Sequence, residues 1–111
     1  MIKPIPKRML PNSATYEEYV ADTGEGSSYK TPITLDHIKV DEQTQFSYSS
    51  NGKEIVGNGM IFYDLTNSSG LTAKPVNESK ITFDDKIYTV KDTDILRAND
   101  KTPHHYEVLL K

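Results

Sequence analysis

The clearest alternation of apolar and polar positions runs from Lys80 to Lys111. Ile81 and Phe83 share one parity, Asp84-Asp85-Lys86 turns the chain, and Tyr88 and Val90 share a face of the return segment, which predicts a β-hairpin. After a polar excursion, Pro103 precedes a stretch in which Tyr106, Val108 and Leu110 lie on one face. His105, Glu107 and Lys111 lie on the other, and Leu109 is an apolar misfit on that wet face. A regular strand carried to the last residue is worth ordering only if it zips into a sheet that earlier strands have built. The C-terminus is therefore expected to close the fold.

Upstream, Thr31–Val40 changes phase in mid-strand: Ile33 and Leu35 share one parity, Ile38 and Val40 the other. One extra residue at Asp36-His37 would be a β-bulge, which bends a sheet toward closure and favours a barrel. Met60–Leu65 (MIFYDL) is almost continuously apolar, as expected of a central strand covered on both faces. Ser13–Ala21 is β-prone, but Glu18 interrupts its apolar face, which suggests an edge strand. Asp22–Thr31 and Thr66–Ser79 are loops by composition, and a short helical turn is expected over Asp92–Ala98. The core would draw on Ile33, Leu35, Met60–Leu65, Phe83, Tyr88, Val90, Tyr106 and Val108. This is a mainly β chain of five to seven strands: a small closed or partly open barrel, SH3- or OB-like, with long polar loops and little helix.

Two segments stand apart. Residues 1–12 carry Pro4, Pro6 and Pro11 with Lys3, Lys7 and Arg8, a composition that holds an arm extended and fits either a docking arm or a frayed terminus; residues 13–111 then form the barrel domain. Residues 41–57 are polar apart from Phe46, Tyr48 and the Ile55-Val56 return. Asn51-Gly52 gives a type I′ turn signal, and Lys53 and Glu54 follow it, so a hairpin should project from the barrel.

Composition changes this picture in three ways. At 111 residues one small domain is expected, and an apolar fraction of 35% is low for a self-contained globule, so that part of the chain either sits in long loops or becomes buried only against a partner. A net charge of −3 argues against general attraction to nucleic acid or anionic membrane. The absence of cysteine excludes disulfides, thiolate metal sites and a cysteine nucleophile, and no stretch resembles a signal peptide or membrane span.

Candidate chemistry is sparse. His104-His105 looks like a metal pair, yet neighbours on a strand point to opposite faces and should not reach one ion. Asp92-Thr93-Asp94 opens like a calcium loop but lacks the glycine and closing glutamate, and reads as solvated turn and cap carboxylates. Asn67-Ser68-Ser69 and Asn77-Glu78-Ser79 match a glycosylation sequon, which is idle without secretion. No catalytic, cofactor-binding or metal residue is assigned, and an enzyme is unsupported. Seven tyrosines without tryptophan leave one other reading, a monomeric OB- or SH3-like barrel binding single-stranded nucleic acid or peptide through Tyr16, Tyr48, Tyr63 or Tyr88.

The order ITLDHIKV (33–40), a polar loop, IVGNGMIFYDL (55–65), KITFDDKIYTVK (80–91) and HHYEVLLK (104–111) resembles the minor capsid proteins of tailed phages and prophages of Gram-positive bacteria, in particular head-closure, or stopper, proteins. The arm from Ile2 to Tyr16 is of the same type, whereas Asp84-Asp85 stands where such proteins tend to carry a glycine. The resemblance implies a ring of copies below the portal and adaptor that closes the DNA channel after packaging and joins the tail. It implies no cofactor and no membrane, only passing contact with phage DNA, and a place at the neck of a virion made in the bacterial cytoplasm. On that reading the gate is Phe46, Tyr48, Asn51, Gly52, Lys53 and Glu54, and the docking arm is Lys3, Pro4, Pro6, Lys7 and Arg8.

Overall fold

The structure is a computed structural model describing residues 3–20 and 28–111. Met1, Ile2 and most of the Asp22–Thr31 loop expectation lie outside the described residues, as does Ala21. Among the described residues eight strands, one more than the expected maximum of seven, follow in order: β1 (Asn12–Glu17), β2 (Ile33–Asp41), β3 (Gln45–Ser49), β4 (Gly52–Gly57), β5 (Gly59–Asp64), β6 (Lys80–Phe83), β7 (Lys86–Arg97) and β8 (Pro103–Leu110). Six of them close a barrel in the order β1-β2-β5-β8-β7-β6, and β3 with β4 forms a separate two-stranded hairpin. Every neighbouring pair in the barrel is antiparallel. As the alternation predicted, β8 is the closing strand. It pairs with β5 from Gly59↔Leu110 to Asp64↔His105 and with β7 from Val90↔Leu110 to Arg97↔Pro103.

Closure depends on bends. Between the pairs Asn12↔Ile38 and Ala14↔Leu35 the single residue Ser13 of β1 opposes two of β2, so the extra residue falls at Asp36-His37, and His37 takes φ 53°. The bulge therefore lies where the phase change put it, and it turns both Leu35 and Ile38 inward. A second bulge, between Val90 and Asp92 on β7, brings Thr93 into the core three residues after Val90. That spacing imitates a helical period, and so the helical turn expected over Asp92–Ala98 is instead the continuation of β7. Asp92 and Asp94 are exposed strand residues beside this bulge rather than turn or cap carboxylates. The β6–β7 turn is a two-residue loop in which Asp84 (φ 52°) and Asp85 (φ 63°) both adopt the left-handed geometry that usually calls for Asn-Gly.

Ala14, Tyr16, Leu35, Ile38, Ile61, Tyr63, Ile81, Val90, Val108 and Leu110 form one buried cluster, with Val40, Leu71, Phe83, Tyr88 and Tyr106 packed against it. Three expectations need correction. Ile33 is 39% exposed, because β5 runs beside β2 only from Ile38 onward and leaves the start of β2 at the rim. Within Met60–Leu65 only Ile61 and Tyr63 point into the cluster; Met60 and Phe62 are half-buried on the outer face, and Leu65 lies past the strand end. Strand β1 is not an edge, since it pairs with β2 on one side and β6 on the other. Its Tyr16 hydroxyl accepts hydrogen bonds from Val76 N and Ser79 Oγ, giving a buried phenol its polar partners.

Ile61 is 1% exposed between two fully paired strands, so Ile61→Ala should lower unfolding free energy by roughly 2–5 kcal/mol. Ile33→Ala should stay within about 0.5 kcal/mol, as expected of a surface position. Urea unfolding of the two variants checks this, and comparable losses would refute the rim placement of Ile33.

Candidate functional site

Two surfaces stand outside the barrel core. The first is the β3–β4 hairpin, which continues the β2–β5 ribbon: Asp41 pairs with Met60, and five residues further on along each strand Phe46 pairs with Ile55. Between them the ladder breaks at a local shift near Gln45. The pairs Phe46↔Ile55 and Tyr48↔Lys53 put these four side chains on one face, while Ser47 and Glu54 share the other. Tyr48 is 74% exposed and Ile55 63%, and Lys53 Nζ stands 3.9 Å over the Phe46 ring. The turn residues are Ser50 and Asn51, with Gly52 at φ 109°. Neither Ser50 nor Asn51 takes a positive φ, so the type I′ turn expected at Asn51-Gly52 does not form. Gly52 still supplies a positive φ, from just past the two turn residues rather than from within the turn.

At its base the hairpin is fastened to the barrel by groups that sequence reading did not single out. Glu42 Oε2 accepts hydrogen bonds from Tyr88 Oη (2.6 Å) and Lys86 Nζ (3.2 Å), and Lys91 Nζ donates to the Val56 carbonyl. Gly57 admits the approach of β8: a Cβ there would stand 2.6 Å from Leu109 Cδ1 and 2.7 Å from the Leu110 carbonyl. Leu109, the apolar misfit of the last strand, thus covers the foot of the hairpin. The Tyr88 hydrogen bond, seconded by Lys86, holds the Glu42 carboxyl below its ordinary range. That same bond, with partial burial, pushes the Tyr88 phenol up to about 12.

The second surface is the arm. Ile5 N donates to Asp64 Oδ1 (3.0 Å), and Asp64 Oδ2 accepts from Thr66 N (3.0 Å) and Asn67 N (2.8 Å). Asn67 Nδ2 returns a bond to the Ile5 carbonyl at 2.8 Å. Ser68 Oγ accepts from Asp64 N and donates to the carbonyl of the bulged His37. Asp64 is wholly buried, so one carboxylate at the end of β5 joins the arm, the β5–β6 loop and, through Ser68, the β2 bulge. In the sequence Asp64 falls inside the apolar run MIFYDL, and its signal there is an acid that a core strand tolerates only when its oxygens are satisfied. Beyond Ile5 the chain makes a single 3₁₀ turn at Lys7–Met9 and buries Leu10. Ile5, Met9 and Leu10 line an open apolar groove of about 250 Å³ with Lys39 and Phe62. Lys3, Pro4, Lys7 and Arg8 are exposed and Pro6 half-buried. Hairpin and arm clamp thus attach at opposite ends of β5, roughly 16 Å apart at about 3.3 Å per residue.

His104 and His105 do converge, contrary to the strand-parity argument: their Nδ1 atoms are 2.8 Å apart, with rings at 81°. Their remaining nitrogens are occupied by the Lys3 carbonyl (2.7 Å) and Glu107 Oε2 (3.0 Å). Among the described residues no cluster of three or more His, Asp or Glu side chains is arranged to hold a metal. Nor do Tyr16, Tyr48, Tyr63 and Tyr88 share a surface. Tyr16 and Tyr63 are core residues, the latter with its phenol pushed up by burial, while Tyr88 is tied to Glu42 and Tyr48 alone is free.

The model of a family described as minor capsid protein matches residues 6–110. The chain belongs to that family, a class of phage structural proteins whose place is the virion. No curated protein and no solved structure matches it. Among the described residues no helix is long and apolar enough to cross a membrane.

Two outcomes follow from the fastenings. A lowered carboxyl favours the latched state above the ordinary glutamate range, and that contribution is lost as pH falls through the folded value. The raised phenol keeps its donor until about pH 12. Tyr88→Phe should therefore move the Glu42 titration upward in carboxyl-resolved NMR, and an unmoved titration would refute the latch. Asp64→Ala leaves the Ile5, Thr66 and Asn67 N–H groups without their acceptor, a destabilisation of roughly 2–4 kcal/mol. Amide exchange at Ile5 should rise with it, and continued protection there would show that the arm is held by other means.

Proposed function

We propose that the protein is a head-closure subunit of the phage head-tail connector. On this reading copies form a ring below the portal and adaptor side, close the DNA channel after packaging, and receive the tail-side protein. Family membership supports a structural role in the virion. The observation that carries the finer reading is the hairpin: a closed barrel with all six strands paired still projects a two-stranded ribbon that, among the described residues, no further strand joins, with Tyr48 and Ile55 exposed on its apolar face. Such a ribbon contributes little to the barrel and is suited to meeting copies of itself across an opening. Phe46, Tyr48, Asn51, Gly52, Lys53 and Glu54 are the gating residues. The exposed cations Lys3, Lys7 and Arg8, set on a backbone pinned by Pro4, Pro6 and the Asp64 clamp, dock the subunit to an adjoining connector protein. The net charge of −3 lets DNA pass without adhering. The role is assembly and gating, without catalysis, cofactor or membrane. No observation favours the nucleic-acid or peptide barrel, since its four tyrosines are divided between core, latch and hairpin.

Replacing Gln43–Ile55 with a short Gly-Ser linker tests the reading. The variant should fold with a melting temperature close to that of the parent while filled heads lose their genome. Heads that retain DNA and infect normally would overturn the gate.

A further inference from the structure

The chain contains the dipeptide Asn-Gly twice, at Asn51-Gly52 and at Asn58-Gly59. In this pairing a backbone can modify itself: the glycine nitrogen, with no Cβ beside it to hinder the approach, can turn back onto the carboxamide carbon of the preceding side chain. Whether it does so depends on the freedom of the peptide between the two residues. Both asparagines are exposed, so access to water does not separate the two sites. The backbone does.

Asn58-Gly59 is held at the root of the hairpin. Asn58 N donates to the Leu110 carbonyl at 2.7 Å, Gly59 pairs with Leu110 across β5 and β8, and Gly59 is buried. A Cβ on Gly59 would stand 2.9 Å from the Asp41 carbonyl oxygen, so this glycine is wedged between β2 and β8. Its nitrogen can turn onto the Asn58 side chain only after the rung at Leu110 has opened. Asn51-Gly52 is the reverse case. Ser50 and Asn51 lie beyond the last rung of the hairpin, Ser49↔Gly52, and every residue from Phe46 to Ile55 is exposed. A Cβ on Gly52 would meet nothing within 4 Å. Asn51 N donates to Ser49 Oγ at 3.2 Å, and among the described residues no hydrogen bond holds the Asn51 side-chain amide. The tip can fray without disturbing a barrel whose nearest rung is Asp41↔Met60.

We propose that Asn51 is a site of self-modification and that Asn58, the same dipeptide in a paired strand, is protected from it. The Gly52 nitrogen bonds to Asn51 Cγ and gives up its proton; the Cγ–Nδ2 bond breaks, and Nδ2 leaves with that proton as ammonia. A five-membered succinimide remains. Water then adds to one of its two carbonyls. Opening at Cγ restores the backbone with an aspartate side chain, whereas opening at the backbone carbonyl gives isoaspartate, whose chain runs through Cβ and Cγ. No oxidant or reductant takes part. Either product adds one negative charge to a chain of net charge −3, and isoaspartate also lengthens the backbone of the tip by one methylene. The chemistry needs only the isolated chain and is independent of the head-closure reading; where that reading holds, the new charge falls on a gating residue.

Peptide mapping by mass spectrometry of the full chain, incubated in mildly alkaline buffer, tests this. Aspartate and isoaspartate should accumulate at position 51 more than about tenfold faster than at position 58, the ratio imposed when the rung at Leu110 is open less than roughly a tenth of the time. In urea the rung is gone, and the two rates should come within about twofold of each other. Asn51→Gln, whose longer side chain would have to close a six-membered ring, should abolish conversion at position 51. Equal rates in the folded chain, faster conversion at Asn58, or a folded chain that stays unchanged at Asn51 would overturn the proposal. So would a preference for position 51 that persists in urea, because the fold would then not be its cause.

Discussion

Everything in this fold depends on β8 being paired along both edges. The strand pairs with β5 over His105 to Leu110 on one side and with β7 from Pro103 to Leu110 on the other, and without it β5 and β7 would each be left as an open edge. The inward row of that strand, Tyr106, Val108 and Leu110, supplies the centre of the core. Its outward row is used as well: His105 meets Glu107 and His104, and Leu109 seats against Gly57 at the foot of the hairpin. One strand therefore holds the barrel shut and fixes the root of the projecting hairpin.

Bulges are the other half of closure. The strands curve into a barrel only if some of them bend, and the register shifts fall at Asp36-His37, at Lys91-Asp92 and, on β8, at His104. The first is itself fastened, since the His37 carbonyl accepts from Ser68, whose oxygen also accepts from the backbone of Asp64. Curvature of β2 and placement of the arm are thereby coupled through one short loop. A change in Ser68 or Asp64 acts on both.

Alternation made the C-terminal strand, the β6–β7 hairpin and the bulge at His37 legible in the sequence, because each is a local pattern of period two or a single break in it. The same rule misled at Val90 and Thr93, where a bulge imitates a helical spacing, and at Ile33, whose parity is right but whose neighbour strand ends too early to cover it. Glu18 was read as spoiling a strand that in fact stops at Glu17. The hairpin over residues 41–57 was visible from its polarity and its Gly52. The groove was not, because Ile5, Met9, Leu10, Lys39 and Phe62 come together only when the arm crosses the barrel. The Asp64 clamp was hidden for the same reason: its partners lie 59 residues upstream and two to four downstream.

The shared register of the hairpin with β2 and β5 has a consequence for how such a chain can vary. Because Asp41↔Met60 is followed by a break and then by rungs in step with it, residues can be added or removed in facing pairs near the Ser50-Asn51 tip. No rung of the barrel changes partner when this happens. Each added pair extends the ribbon by about 3.3 Å, and two pairs keep the apolar face on the same side. Reach is thus a parameter set independently of the core, so a single ribbon can be lengthened or shortened on an unchanged barrel.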